Sequence, residues 1–157
     1  MQTFAPEGRD LRLGFSKLDY RRLGKQRVEA WQILNVLRGV DNEGNPKQHK
    51  GWVSHPATQM WMGHTAGLAF YGVLCCEEWR RQGYNDGLLH RFNEVLEVYS
   101  DFEDYTPPIF LDWIAYSHQS NLIRKDPVYY RQFWPDVPPD VPYLWPTEER
   151  KLWESRI

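Results

Sequence analysis

The chain has 157 residues, of which 41% are hydrophobic and 25% charged, and its formal net charge is −2. This length suffices for one domain with its own core, and the net charge lacks the basic surplus of most nucleic-acid-binding domains. Two adjacent cysteines, Cys75 and Cys76, do not form a disulfide framework. The sequence has no signal-peptide pattern and no apolar segment of membrane-spanning length. We therefore expect a soluble, cytoplasmic protein.

The net charge conceals an uneven distribution. Residues 94–112 contain six acidic and no basic residues, so the rest of the chain carries a net charge of +4. We expect one acidic and one basic face, and a bound polyanion responds to the local field. Eight tryptophans and nine tyrosines could stack on bases, although large aromatic side chains more often belong to the core. A polyanionic partner is therefore not excluded by the net charge.

The first predicted helix follows an irregular N-terminal arm, residues 1–15. The helix begins at Ser16, whose hydroxyl can cap the first turn together with Asp19, and it ends near Arg38. Apolar residues at helical spacing predict one buried stripe, formed by Val28, Trp31, Leu34 and Leu37. The same spacing places a polar set on a different face of the helix: Arg22, Lys25, Gln26 and Glu29.

Three further helices are predicted by the same periodicity. They cover Pro56 to about Gly83, residues 88–99 and residues 109–125. Glycines such as Gly63 and Gly72 lie in the helical pattern of the second and indicate close packing. The C-terminal tail, residues 135–157, is rich in proline and is predicted to be an extended strap. The sequence thus predicts an all-α, single compact domain of about four helices with a Pro-rich strap.

Several kinds of active site receive little support. The histidines show no metal-ligand spacing, so we do not expect a metal site, and no Gly-rich phosphate loop is present. A Ser/His/Asp triad is weak because Ser117 and His118 are neighbours on a helix and point apart. The cysteine pair lacks activating surroundings and fits a buried core.

The stretch RRLGKQRVE, residues 21–29, gathers four cations about Glu29: Arg21, Arg22, Lys25 and Arg27. One interpretation is a solvated helix face with a Lys25–Glu29 pair worth about 0.3–0.5 kcal/mol. The other is a surface that fixes a phosphate backbone. A second basic group, which includes Lys125, lies beside a polar row of His118 and Asn121 and favours the second interpretation.

The histidines differ as candidate ligand contacts. His55 begins a helix, where its ring can meet a ligand or cap the turn, and the sequence leaves both open. His64 lies in an apolar stripe and by itself fits a core histidine, whereas His118 lies on the polar row. The candidate nucleic-acid contacts are Arg21, Arg22, Lys25, Arg27, His55, His64, His118, Asn121 and Lys125.

Three stretches carry a family resemblance: LDYRRLGKQRVEAWQIL, HPATQMWMGHTAGLAFYGVLCCEEWRRQGY and SHQSNLIRKDPVYYRQFWP. Through them nearly the whole chain resembles the pyrimidine-dimer DNA glycosylase family, as a divergent subgroup. The resemblance implies an all-helical domain without a cofactor. It also implies action on double-stranded DNA with a damaged or modified base. We expect the protein to be a monomer, located in the cytoplasm and on the nucleoid when bound to DNA.

The resemblance also implies a chemistry. The N-terminal α-amine attacks the deoxyribose anomeric carbon, the base departs, and the resulting imine permits β-elimination of the phosphate. An α-amine titrates at about 7.7–8.0, so part of it is neutral and nucleophilic at physiological pH. A nearby carboxylate stabilises the cation that forms as the base leaves.

The sequence departs from the family pattern at both catalytic positions. Gln2 is too bulky for removal of the initiator, so the nucleophile is assigned to Met1, with Thr3 as the alternative if the chain is processed further. Arg22 stands where the family's glutamate follows Tyr-Arg, so the carboxylate role is assigned to Glu29. Two other hypotheses remain: a non-catalytic binder of distorted or modified DNA, and a nucleoside or nucleotide N-glycoside hydrolase.

Overall fold

The structure, a computed structural model, describes residues 2–99 and 112–145. These residues form seven helices and no sheet, which confirms the all-α prediction. The helices are α1 (Leu11–Lys17), α2 (Tyr20–Arg38), α3 (Pro56–Gln59), α4 (Thr65–Arg81), α5 (Leu89–Tyr99), α6 (Asp112–Lys125) and α7 (Pro127–Tyr130). The four long ones, α2, α4, α5 and α6, correspond to the four predicted helices. In the described part of the chain, no helix is long and apolar enough to cross a membrane.

The predicted start of the first long helix is wrong. Ser16 lies inside α1, where its hydroxyl donates to the carbonyl of Leu13, 2.6 Å away. The chain then turns extended at Leu18, and Asp19 is the N-cap of α2, accepting from the backbone N–H of Arg22. An aspartate at the N-cap can accept from an otherwise unpaired N–H of the first helical turn. Asp19 therefore marks the beginning of a second helix and does not lie within a continuation of α1.

The second predicted helix is two helices with a break between them. Gly63 has φ +78°, a left-handed conformation that glycine adopts without steric cost, and it separates α3 from α4. The prediction that Gly63 is helical is therefore wrong. Gly72 does serve close packing: a Cβ there would lie 2.3 Å from the ring of Phe92, so this glycine lets α5 approach α4.

The core surrounds α4, which packs against α1, α2 and α5. The buried stripe of α2 runs through Leu23, Ala30 and Leu34. Val28, predicted as part of the stripe, is exposed, because it lies on the side of α2 opposite to these residues. Trp134 is buried, in agreement with the default assignment of large aromatics to the core.

The N-terminal arm and the C-terminal tail both lie against the helical body. Residues 2–5 are buried, so the arm is not a free extension, and its predicted irregular course through residue 15 is wrong because α1 begins at Leu11. Residues 135–145 form neither helix nor strand, and they are bonded to α6 through Ser117, Ser120 and Arg124. Residues 146–157 lie outside the described residues, and the strap as a whole remains a prediction. The start of the fourth predicted helix and much of the acidic segment, within residues 100–111, are likewise outside.

Candidate active site

A pocket of about 310 Å³ opens where α2 meets the arm, the tail and the end of α6. We call it the Glu29 pocket. Four separate segments line it with Gln2, Phe4, Arg22, Lys25, Gln26, Glu29, Lys125, Tyr143 and Trp145. Its volume is at the lower end of the range of about 300–1,000 Å³ for small-molecule sites. The polar face predicted for α2 and the predicted contact Lys125 thus meet in one cavity.

Glu29 is held at the side of this pocket by two long contacts. Its Oε1 lies 3.7 Å from the Nζ of Lys25. Its Oε2 accepts from the backbone nitrogen of Gln2, 3.5 Å away. An ionised carboxylate offers about four lone-pair positions, so two long contacts leave Glu29 with acceptor capacity. A carboxylate beside the start of the chain is therefore available to a ligand in the pocket.

Buried side chains fix the backbone of the arm beside Glu29. The amide of Gln26 donates from Nε2 to the carbonyl of Gln2 (2.7 Å) and accepts at Oε1 from the N–H of Phe4 (2.9 Å). The hydroxyl of Tyr71 donates to the carbonyl of Phe4 at 2.7 Å. One amide that bonds residues 2 and 4 sets both the position and the register of the arm. The arm is therefore held in a defined place at the pocket from Gln2 onward.

His118 is another buried side chain that fixes the backbone of the arm. It is fully buried, and its Nδ1 accepts from the backbone N–H of Ala5 at 3.0 Å. Burial lowers its pKa to about 3, so the ring is neutral. Asn121 is also buried and donates to the carbonyl of Ser117 at 2.8 Å. The arm and the tail cover this side of α6, and a contact of His118 or Asn121 with DNA stays a prediction.

Three cations line the pocket, with different degrees of constraint. Arg22 is fixed by Asp19 (Nη1 to Oδ1, 3.0 Å) and lies over the ring of Tyr130. Lys25 and Lys125 are exposed and can move to meet a ligand. The pocket therefore combines one carboxylate with one ordered and two adjustable positive charges, which suits an anionic ligand.

Two other members of the predicted cation cluster lie elsewhere. Arg27 forms an ion pair with Asp86 and lies over the ring of Trp79, 4.7 Å from its centroid. This pair is largely buried and does not line the Glu29 pocket, and a contact of Arg27 with DNA stays a prediction. Arg21 is exposed and donates to the hydroxyl of Tyr20 at 3.1 Å, and it does not line the Glu29 pocket.

His55 and His64 lie outside the pocket lining. The Nδ1 of His55 accepts from the backbone N–H of Ala57 at 3.1 Å, so this ring caps α3. Burial lowers its pKa, and its ring packs edge-on against Trp145 at the border of the pocket. His64 is half-buried at the N-cap position of α4. A contact of either histidine with DNA remains a prediction.

Sequence reasoning missed the aromatic side of the pocket. Phe4 comes from the arm, and Tyr143 and Trp145 come from the tail. A signal was present in the sequence, because residues two apart on an extended chain point to the same side. The rings of Tyr143 and Trp145 indeed stack, with centroids 6.0 Å apart and planes at 28°.

The other candidate catalytic groups are the N-terminal residues, the two cysteines and possible metal ligands. Met1 lies outside the described residues. Thr3 is buried, and its hydroxyl oxygen accepts from the indole N–H of Trp61 at 2.9 Å. Cys75 and Cys76 are buried, and burial raises the pKa of both thiols, which disfavours a thiolate nucleophile. Within residues 2–99 and 112–145, no group of three or more potential metal ligands comes together.

Comparison with known proteins identifies the family. A family model described as pyrimidine dimer DNA glycosylase matches residues 1–97, a segment that includes the arm, Glu29 and the cations of α2. The comparisons with curated proteins and with solved structures each found no match. The matched segment is more than half of the chain and supports a general DNA glycosylase role with DNA as the partner. The chain belongs to the pyrimidine dimer DNA glycosylase family.

Proposed function

We propose that the protein is a DNA N-glycosylase with an associated lyase activity, in which the α-amine of Met1 is the nucleophile and Glu29 the catalytic carboxylate. The observation that carries the proposal is the backbone nitrogen of Gln2, 3.5 Å from Glu29 Oε2 in a pocket lined by three cations. Covalent geometry keeps the α-amine within about 4 Å of that nitrogen. This short covalent path supports the proposal that the α-amine and Glu29 act on the same sugar.

The proposed reaction has two stages. The neutral α-amine forms a bond to C1′ of the target nucleotide, and the glycosidic bond breaks with its electron pair leaving on the base, which takes up a proton. Glu29 stabilises the positive charge that develops on the sugar. Opening of the sugar ring gives an imine, loss of a proton from C2′ follows, and the 3′ phosphate leaves by β-elimination.

The cations of the pocket have a role in binding. Arg22, Lys25 and Lys125 line the same cavity as Glu29 and can contact the phosphates on either side of a nucleotide extruded from the duplex. Arg22 is already ordered by Asp19, so it supplies a fixed contact. The proposed partner is double-stranded DNA with a damaged or modified pyrimidine, bound by a monomer.

Borohydride trapping tests the proposal. The full chain is incubated with duplex DNA that contains an abasic site or a cyclobutane pyrimidine dimer, and the adduct is located by mass spectrometry. We expect a covalent adduct at residue 1. Glu29→Gln should bind DNA normally and excise the base at least about 100-fold more slowly, the usual scale for loss of such a group.

Glu77→Gln is the matched control. Glu77 also pairs with a cation, Arg12, at 2.8 Å, but it does not line the Glu29 pocket. This variant should excise at the wild-type rate. Full activity of Glu29→Gln removes Glu29 from the mechanism. Tight binding without any adduct or base release favours instead a non-catalytic reader of distorted DNA, and binding without competition from duplex DNA favours a nucleoside hydrolase.

A further inference from the structure

We infer that Tyr143 and Trp145 form the wall on which the extruded base stacks, and so determine which base the enzyme accepts. The inference rests on the proposed function and adds to it the recognition of the base. The two rings line the same pocket as Glu29, although they lie beyond the 97 residues that match the family model. Base recognition then belongs to the part of the chain that the family model does not cover.

The pocket presents one kind of surface for each part of a nucleotide. Three cations line it and suit the phosphates, and Glu29 lies beside Gln2, where the proposed reaction requires the sugar. The remaining surface is aromatic, from Phe4, Tyr143 and Trp145. Stacking on aromatic rings is the general way in which proteins hold a base outside the helix. The base is the part of the nucleotide that this surface fits.

The two rings are arranged as one surface. Their centroids are 6.0 Å apart and their planes differ by 28°. Trp145 is supported from the side by the edge-on ring of His55, with centroids 6.5 Å apart. Burial raises the pKa of Tyr143, so its phenol stays neutral at physiological pH and can donate a hydrogen bond as well as stack.

Buried hydroxyls of α6 hold the tail in place. Ser117 Oγ donates to the carbonyl of Pro142 (2.8 Å) and accepts from the N–H of Leu144 (3.0 Å), the residues on either side of Tyr143. Ser120 Oγ accepts in the same way from the N–H of Val141, at 3.0 Å. Both serines are fully buried. These bonds satisfy backbone groups that the tail buries against α6, and they also fix the two residues that flank Tyr143, as a recognition surface requires.

A comparison of two substrates tests the inference. An abasic site has no base to stack, so only the base-containing substrate should depend on the wall. We expect Tyr143→Ala and Trp145→Ala to lower excision from dimer-containing DNA about 10- to 100-fold. Borohydride trapping at an abasic site should stay within about twofold of wild type. Tyr143→Phe and Trp145→Phe retain a ring and should restore most of the excision rate.

Tyr116→Ala is the control, because Tyr116 is an exposed aromatic of α6 that does not line the pocket. If both alanine variants excise the base at the wild-type rate, the inference is overturned. So does an equal loss on both substrates, which indicates a general structural role for the tail. Absence of an adduct with the wild-type protein is a separate result: it overturns the proposed amine mechanism, and the base wall with it.

Discussion

Helix α2 carries two cation–carboxylate pairs of opposite character. Arg27 and Asp86 form a closed pair whose side chains are 13% and 0% exposed, beneath the ring of Trp79. Lys25 and Glu29 form an open pair, 3.7 Å apart, whose side chains are 74% and 15% exposed. The sequence places both cations in the same short stretch, and only the fold distinguishes them.

The difference separates a structural pair from a reactive one. Two charges removed from water must satisfy each other, so the closed pair contributes to the integrity of the fold and is largely inaccessible to a ligand. The open pair interacts weakly, and its carboxylate has acceptor positions left beside the arm. Substitutions at the two pairs should therefore affect different properties of the protein.

The largest expected effect is on stability, at the closed pair. Asp86→Asn keeps an acceptor for the N–H of Leu89 but leaves Arg27 buried without its counter-charge. We expect a loss of about 3–5 kcal/mol in the free energy of unfolding, measured by urea denaturation. Glu29→Gln should change it by at most about 0.5 kcal/mol. Equal losses in the two variants contradict the distinction between closed and open pairs.

A pH titration extends the comparison to His118, another polar side chain that the fold removes from water. Its pKa is about 3 in the folded state, against about 6.5 in an unfolded chain. Between these values the unfolded chain binds a proton that the folded protein does not. The free energy of unfolding should therefore fall as the pH is lowered below about 6.5, by about 1.4 kcal/mol per pH unit.

His118→Asn is the variant for this titration, because it can still accept from the N–H of Ala5 and does not titrate. Urea denaturation at several pH values between about 4.5 and 6.5 should give a slope smaller by about 1.4 kcal/mol per pH unit than in the wild type. An unchanged slope means that His118 is not the buried neutral group described above.

Helical periodicity correctly predicted the features of the site that depend on one helix alone. The 3.6-residue period placed Arg22, Lys25 and Glu29 on one face, and the structure places them in one pocket. The same rule could not show that His118 is buried, because the spacing shows that a face is polar but not that another segment covers it. The ion pair of Arg27 was missed for a related reason, since its partner Asp86 lies 59 residues away in the sequence.

The pocket itself depends on contacts between distant segments. The arm meets α2 through Gln26, and the tail meets α6 through Ser117. Neither contact has a local period, so the sequence could propose Glu29 as the carboxylate but could not place Tyr143 and Trp145 in the same pocket. Burial of polar side chains such as Gln26 is visible only once the fold is known.

The smallest expected effect is at the exposed member of the open pair. Lys25→Ala should change the free energy of unfolding by less than about 0.5 kcal/mol, since an exposed pair at 3.7 Å contributes little. Its effect should appear in DNA binding instead. Loss of one phosphate contact lowers the steepness with which log K falls against log salt concentration, the salt slope, by about 0.9. Arg12→Ala, which removes an exposed cation outside the pocket, should leave the slope unchanged. Equal slopes for wild type and Lys25→Ala imply that Lys25 only neutralises Glu29, and the phosphate contacts then fall to Arg22 and Lys125.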